Sequence, residues 1–216
     1  MLSLPLGTRP AEAPLRLLAL GAHADDVEIG AGGTLLCLAR SHAVEALVVV
    51  LSADDRRAAE ARSSAAAFLA GCKVTVDVHD VPDGRFPSEW NRVKEILEGY
   101  GATWDPDVVL GPARLDAHQD HRMVAELVPT VFRDHFVLEY EIPKWDGDLG
   151  RPTVYVPLAD DVMSRKIELL WEHFGSQRER AWFDEQVFRG LARLRGMECR
   201  AGYAEAFTCG KLLLTP

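Results

Sequence analysis

Two short segments of the chain combine histidine and aspartate at spacings that suit a metal ion. One is residues 22–28, Ala-His-Ala-Asp-Asp-Val-Glu, and the other is residues 116–121, Asp-Ala-His-Gln-Asp-His. A catalytic zinc ion takes three protein ligands from His, Asp and Glu side chains and keeps one position open. Two imidazoles and one carboxylate drawn from both segments would make such a site, and an aspartate and a histidine would remain for proton transfer.

Within each segment the candidate ligands lie three residues apart. His23 and Asp26 can converge from one loop, and His118 and His121 share a face if residue 118 opens a helix. The alternative is that Asp25 and Asp26 only cap the following helix and that His118 is a cap-region residue. Two such clusters in equivalent positions favour the metal site over capping.

The elements around these segments alternate between strand and helix. A buried strand is predicted at 15–20 before the first segment and another at 107–110 before the second. The other predicted strands are 44–51, 74–81, 135–140 and 152–156, and the predicted helices are 30–40, 56–70, 88–100, 118–133, 160–174 and 178–195. This order predicts an α/β fold with a mostly parallel sheet covered on both faces. Ligands bind at the carboxyl ends of strands in such sheets, which is where both segments fall.

Boundaries within these elements carry further expectations. Ser88 is a candidate N-cap, and Pro129 should kink its helix or end it early. Glu141–Arg151, which is polar and contains Pro143 and two glycines, is expected to be a mobile loop.

The glycine-rich stretch Gly30-Ala31-Gly32-Gly33 invites a dinucleotide-binding interpretation. Its glycines come about ten residues after the first strand, and the order G-x-G-x-x-G is absent. Close packing of a helix on the sheet explains them better, and this disfavours a nonenzymatic dinucleotide-binding protein.

Length and composition indicate an ordinary globular protein. The 216 residues suit one domain, predicted at 15–216 behind a flexible tail at 1–14. The net charge of −9 argues against nucleic-acid partners, and the chain shows no signal peptide or apolar run long enough for membrane insertion. The four cysteines are widely spaced, so a reducing, cytoplasmic location is expected.

At the two segments the sequence resembles the PIG-L/LmbE family of metal-dependent N-deacetylases. The family's first motif, A-H-P-D-D-x-E, is present in residues 22–28 with Ala24 in place of the proline, and its second motif, H-x-D-H, is present in residues 118–121. Further matches are Arg57-x-x-Glu60, Asp83-Gly84 and residues 203–207, so the resemblance runs from about residue 15 to 210.

The resemblance implies roles for the residues of the motifs. His23, Asp26 and His121 would bind one Zn²⁺ per subunit, although Fe²⁺ or another divalent ion also suits two imidazoles and a carboxylate. Asp25 would be the general base, and His118 would stabilise the oxyanion or protonate the leaving amine.

Four further residues are expected to support the site. Arg57 could hold a sugar hydroxyl or phosphate, or only pair with Glu60, and Asp83 could accept hydrogen bonds from sugar hydroxyls. Asp120 could orient an imidazole or simply favour the start of its helix. Glu28 could hold the loop through backbone amides.

For the whole protein, the resemblance implies a Rossmann-like three-layer αβα sandwich that hydrolyses the acetamide of an N-acetylglucosamine-type amino sugar. The substrate would be a small soluble metabolite, a glycoconjugate or an antibiotic precursor. The alternative is a metal-dependent amidase that cleaves a larger amide, as in thiol-conjugate amidases. Family members are often oligomeric, so a homo-oligomer is among the assemblies expected.

Overall fold

The structure is a computed structural model that describes Leu4, Leu6 and residues 12–213. Most of the predicted tail, residues 1–14, and residues 214–216 lie outside the described part. The strands are β1 (Leu15–His23), β2 (Val44–Ser52), β3 (Lys73–Val78), β4 (Val108–Pro112), β5 (Phe136–Tyr140), β6 (Val154–Leu158) and β7 (Tyr203–Thr208). They form one seven-stranded sheet in the order β3-β2-β1-β4-β5-β7-β6, in which β7 runs antiparallel to both neighbours and the other pairs are parallel.

Helices cover both faces of this sheet. They are α1 (Asp26–Ser41), α2 (Asp55–Phe68), α3 (Trp90–Thr103), α4 (Gln119–Val131), α5 (Asp160–His173) and α6 (Glu185–Cys199). Side chains of α1, α2, α5 and α6 belong to one hydrophobic core, and those of α3 and α4 belong to the other. Strand β1 serves both cores, because Leu17 faces the first and Leu18 and Leu20 face the second. The mostly parallel three-layer α/β architecture predicted from the sequence is therefore confirmed.

The order of the strands places the two histidine–aspartate segments side by side. From β1 the chain proceeds to β2 and β3 on one side, and it then returns to place β4 on the other side of β1. The carboxyl ends of β1 and β4 flank this reversal, which is where open α/β sheets form their ligand crevice. Residues 22–28 begin with the last two residues of β1, and residues 116–121 follow β4.

The first helix begins four residues earlier than predicted. It starts at Asp26 instead of Gly30, with Asp25 as its N-cap residue, so Asp26 and Glu28 lie in the first turn. Carboxylates there are favoured by the partial positive charge at a helix N-terminus. Asp25 makes no side-chain capping hydrogen bond, which leaves its carboxylate available for other contacts.

Three other boundaries also differ from the prediction. Helix α6 starts at Glu185, well after residue 178, because the carboxylate of Asp184 accepts hydrogen bonds from two backbone amides of the first turn. Ser88 does not cap α3 and lies instead in a 3₁₀ turn, Phe86–Ser88. Strand β7 was not predicted. Pro129 falls in the last turn of α4, close to where the helix ends.

The glycines of α1 permit close packing, as expected. A Cβ atom on Gly30 would overlap the ring of Tyr140, and one on Gly33 would lie 2.5 Å from Leu158 Cδ1. Tyr140 is fully buried, and its hydroxyl donates to the carbonyl oxygen of Leu20 at 2.7 Å. Helix α1 can therefore lie directly against the sheet next to the end of β1.

A buried ion pair fastens α1 from the C-terminal part of the chain. Lys166 Nζ on α5 lies 2.6 Å from Glu205 Oε1 on β7 and also donates to the carbonyl oxygen of Ile29. The Glu205 carboxylate accepts hydrogen bonds from the backbone amides of Gly33 and Thr34 at 2.7 and 2.6 Å. The helix that carries Asp26 is thus held by both α5 and β7.

Candidate active site

The three predicted ligands, His23, Asp26 and His121, converge in a buried triangle, which we call the metal triad. His23 Nδ1 lies 3.2 Å from His121 Nε2 and 3.6 Å from Asp26 Oδ2, and the latter two atoms are 3.4 Å apart. All three side chains are buried. Helix α1 supplies Asp26 from its first residue, the end of β1 supplies His23, and the first turn of α4 supplies His121.

The dimensions of the metal triad suit a tetrahedral ion. Zinc bonds of about 2.0–2.1 Å to nitrogen and oxygen require ligand atoms about 3.3–3.4 Å apart in a tetrahedron. The observed separations of 3.2, 3.4 and 3.6 Å agree with this requirement. The backbone amide of His23 donates to Asp26 Oδ2 at 2.8 Å, which fixes the carboxylate in the triangle. The residues present therefore fit a divalent metal ion held by two imidazoles and a carboxylate.

Asp116 orients His121, a role that the sequence analysis did not assign. Its Oδ2 accepts from His121 Nδ1 at 2.9 Å, and its Oδ1 accepts from the backbone amide of His118 at 2.8 Å. Lys144 Nζ lies 2.9 Å from the same Oδ2. This contact leaves His121 Nε2 as the atom directed into the metal triad, and carboxylates in such positions raise the affinity of a metal site. The position of Asp116 at the start of the second segment was a signal that it could orient His121. No feature of the sequence indicated that Lys144 would contact it.

Asp120, predicted to contact an imidazole, lies against His23. Its Oδ2 is 3.3 Å from His23 Nε2, and the carboxylate also accepts from the backbone amides of Gly84 and Phe86 at 2.7 and 3.1 Å. Asp120 also lies in the first turn of α4. It therefore both contacts an imidazole and occupies a position where a carboxylate favours the start of the helix. The carboxylate ties the segment after β3 to the end of β1.

A network of charges surrounds Asp25. Arg57 reaches Asp25 Oδ1 at 3.1 Å and Asp83 Oδ2 at 3.4 Å, and the other oxygen of Asp83 lies 3.1 Å from His23 Nε2. Arg57 therefore contacts the candidate base and not Glu60, whose carboxylate accepts instead from Ser176. Asp25 is buried, whereas more than half of the Asp83 side chain is exposed to solvent.

His118 lies beside the metal triad as the N-cap residue of α4. Its Nδ1 accepts from the backbone amide of Asp120 at 3.3 Å, so that Nε2 carries the proton of the neutral ring. The ring centroid is 5.0 Å from that of His23 and 4.7 Å from that of His121. His118 is thus placed as a hydrogen-bond donor next to the candidate ligands.

Glu28 does not hold the loop through backbone amides as the sequence analysis proposed. It is buried within α1, and the hydroxyl of Ser64 on α2 donates to its carboxylate. Burial raises the pKa of Glu28 to about 8. Because the helix begins at Asp26, residue 28 is directed between two helices and not toward the loop.

Buried acidic groups make the site attractive for positive charge. Burial acts to lower the pKa of His121, but the neighbouring Asp26 and Asp116 carboxylates raise this pKa to about 9. Burial acts to raise the pKa of Asp26, yet His121 and His23 hold it well below its usual value. A hydrogen bond with His23 lowers the pKa of Asp83 to about 2. A bound dication would satisfy the same carboxylates that protonated imidazoles otherwise satisfy.

A second group of possible ligands overlaps the metal triad. His23, Asp83, His118 and Asp120 also place one donor atom each within 4.8 Å of one another. His23 belongs to both groups and offers Nδ1 to the metal triad and Nε2 to Asp83 and Asp120. The metal triad is the more enclosed of the two, because all its members are buried.

Comparison with known proteins agrees with this geometry. The chain matches the family model PIG-L, described as GlcNAc-PI de-N-acetylase, over residues 18–132, which is more than half of its length and includes both motifs. Similar structures include N,N'-diacetylchitobiose deacetylase from Pyrococcus horikoshii, with 20% identity over 93% of this chain and 85% of that chain and a TM-score of 0.68.

Two further structures show the range of proteins with this fold. GalB, the 4-carboxy-2-hydroxymuconate hydratase of Pseudomonas putida KT2440, is 18% identical over 94% of this chain and 98% of that chain, with a TM-score of 0.73. The zinc-inhibited form of teicoplanin deacetylase Orf2 is 17% identical over 90% of this chain and 97% of that chain, with a TM-score of 0.66. These likenesses establish the fold, and the family match over both motifs establishes membership: the chain belongs to the PIG-L family.

Proposed function

We propose that this protein is a metal-dependent N-deacetylase that hydrolyses the acetamide of an N-acetylglucosamine-type amino sugar. The observation that carries this proposal is the metal triad, whose three atoms are separated by 3.2–3.6 Å, with Asp25 and His118 adjoining it. Membership in a family described as a de-N-acetylase supports the reaction type. The fold alone does not select it, since a protein named as a hydratase has a similar structure.

His23, Asp26 and His121 would hold the ion. Zinc bound there would act as a Lewis acid toward the acetyl carbonyl and would lower the pKa of water toward about 7. Asp25 would take the proton of the attacking water, because its carboxylate is buried next to Asp26 in the chain. Arg57 holds that carboxylate in place at 3.1 Å.

The remaining residues would stabilise charge and bind the sugar. The Nε2–H group of His118 would donate a hydrogen bond to the oxygen that becomes negative during attack. The proton that Asp25 took from water would then pass to the amide nitrogen as the C–N bond breaks, which gives acetate and the free amine. Asp83, which is the most exposed carboxylate of this group, would accept hydrogen bonds from sugar hydroxyls, and Arg57 would donate to oxygens of the sugar.

The direct test measures acetate and free amine released from a panel of N-acetylglucosaminyl compounds. The protein is loaded separately with Zn²⁺, Fe²⁺ and Co²⁺, because a related deacetylase has been described in a zinc-inhibited form. We expect acetate from at least one compound with at least one metal. Metal-loaded protein that is inactive on the whole panel, or that prefers larger acyl groups, would contradict the proposal; the second result would favour the larger-amide alternative.

Variants of the two adjacent aspartates test their separate roles. Asp25→Asn should lower turnover about 10²–10⁴-fold while the bound metal stays at one per chain, because a proton acceptor is lost and a ligand is not. Asp26→Asn should lose the metal itself. Metal content by elemental analysis and turnover are measured on both variants, and the reverse pattern would show that the two roles are exchanged.

For the described residues 12–213, no helix is both long and apolar enough to cross a bilayer. We propose a small amino sugar in solution as the substrate, and a cytoplasmic location, expected from the widely spaced cysteines, is part of the same proposal.

A further inference from the structure

An open cavity of about 640 Å³, here called the side cavity, lies next to the metal triad. Its walls come from residues 113–116 after β4, residues 141–151 after β5 and the end of β7. Asp116 belongs to this wall and also contacts His121, so one side chain separates the side cavity from a candidate metal ligand.

Each carboxylate of the side cavity already has a cationic partner. Each has a cation within 3 Å: Asp116 and Asp148 share Lys144, Glu139 pairs with Arg114, and Glu141 pairs with Arg195. The acidic side chains are thus poorly suited to bind a further cation there.

Two arginines of the wall keep hydrogen-bond donors free. Arg114 uses only its Nε, which donates to Glu139 at 2.7 Å, and its side chain is half exposed. Arg151 is exposed, and within the described part of the chain its side chain makes no hydrogen bond or ion pair. Guanidinium groups with free N–H pairs bind carboxylates in a bidentate manner.

The same wall offers apolar surface. Leu115 is 77% exposed and Leu149 is 43% exposed, while Ile142 is buried. Exposed leucines beside guanidinium groups suit a ligand that has an apolar body and an anionic end.

We propose that the side cavity binds a carboxylate-bearing, partly apolar group, and that this group is the part of the substrate remote from the acetamide. Arg114 and Arg151 would bind the carboxylate, and Leu115 and Leu149 would contact the apolar body. The second half of this statement rests on the proposed deacetylase function, whereas the first half does not.

Binding is tested without turnover, by calorimetry with 4-phenylbutyrate and its neutral analogue 4-phenylbutanamide. We expect the acid to bind at least about 10-fold more tightly than the amide, and Arg151→Gln to remove that preference, because a hydrogen-bonded charge contact is lost. Arg114→Lys should weaken binding of the acid while it preserves an ion pair with Glu139.

Arg62→Gln, which changes an exposed arginine on α2, is the matched control and should bind the acid as the unmodified protein does. Equal binding of acid and amide, or an Arg151→Gln variant that binds the acid normally, would overturn the site.

The assignment to the substrate is tested with 4-carboxyphenyl and 4-carbamoylphenyl N-acetylglucosaminides. We expect a KM at least about 10-fold lower for the carboxylated compound with similar kcat, and we expect Arg151→Gln to abolish this difference. A KM difference that persists in Arg151→Gln, or no difference in the unmodified protein, would overturn the assignment. If neither compound is deacetylated while 4-phenylbutyrate still binds through Arg151, the proposed function fails and the carboxylate site stands.

Discussion

Asp116 illustrates how a residue outside the ligand set can decide how well the site works. One of its oxygens contacts both His121 Nδ1 and Lys144 Nζ at 2.9 Å, and the other accepts from the amide of His118. It therefore fixes the ring of a proposed ligand and the backbone of a proposed hydrogen-bond donor.

We expect Asp116→Asn to weaken metal binding by about 10–100-fold, because the amide is a poorer acceptor for the His121 N–H group. Competition with a chelator of known affinity measures the change. Glu126→Gln, at an exposed position of α4, the helix that carries His121, is the control and should leave the affinity unaltered. Equal affinity of Asp116→Asn and the unmodified protein would rule out this orienting role.

For single residues, the sequence predicted which side chains form the site. It was less informative about which other groups hold those side chains in place. Spacing and position after strands predicted that the two segments would share one site, and the family resemblance of their motifs implied that His23, Asp26 and His121 are its ligands. The contact of Arg57 with Asp25 was not predicted, because Asp25 lies far away in the sequence and Glu60 was the only protein partner considered. The contact of Lys144 with Asp116 depends on how the loop after β5 folds over the loop after β4.

Among the elements, α1 packs closely against the sheet through its glycines. Gly30 lies against Tyr140, and Gly33 lies against Leu158 and Glu205, so the small residues are needed for contact with the sheet. The same helix presents Asp26 at its first residue.

Gly30→Ala should lower the free energy of unfolding by about 1–3 kcal/mol, because the added methyl group must displace the Tyr140 ring. Chemical denaturation measures this change. In the matched variant Gly190→Ala, the methyl group meets nothing within 4 Å on the exposed side of α6, and the variant should gain about 0.5–1 kcal/mol. A neutral Gly30→Ala would show that the helix can move away from the sheet at little cost.

The order and type of the elements could be predicted better than their ends. Continuous apolar runs predicted the central strands, because strands buried on both faces lack polar positions. The start of α1 was misplaced since Asp25, Asp26 and Glu28 are polar yet buried, which hydrophobic periodicity cannot indicate. Strand β7 was missed because it contains Glu205, a charged residue whose burial becomes favourable when Lys166 pairs with it in the folded protein. In the segment 141–151, expected to be a mobile loop, Lys144 contacts Asp116, and Asp148 accepts from the backbone amide of Ala117.

For the whole molecule, the metal triad joins the two halves of the sheet. Ligands from β1 and α1 meet a ligand from α4, so a bound ion would stabilise the folded state and not the unfolded chain. At a free metal concentration of about 100 times Kd, this linkage contributes about 2.7 kcal/mol.

We therefore expect the Tm to rise by about 5–10 °C when metal is added to metal-free protein, and to fall again when a chelator removes it. Scanning calorimetry records the shift. Asp26→Asn is the matched variant, and its Tm should not respond to the metal. An equal rise in that variant would place the stabilising ion elsewhere on the protein.

The contacts that hold α1 against α5 and β7 have a consequence for any attempt to produce a minimal fragment. Residues 18–132 contain every proposed ligand and the proposed base, but Tyr140, Lys166 and Glu205 all come later in the chain. In a polypeptide that stops at residue 132, the amides of Gly33 and Thr34 would lack the carboxylate of Glu205. The glycine side of α1 would also lack the ring of Tyr140. Metal binding therefore depends on the later part of the chain, and a fragment that contains all the ligands would not retain it.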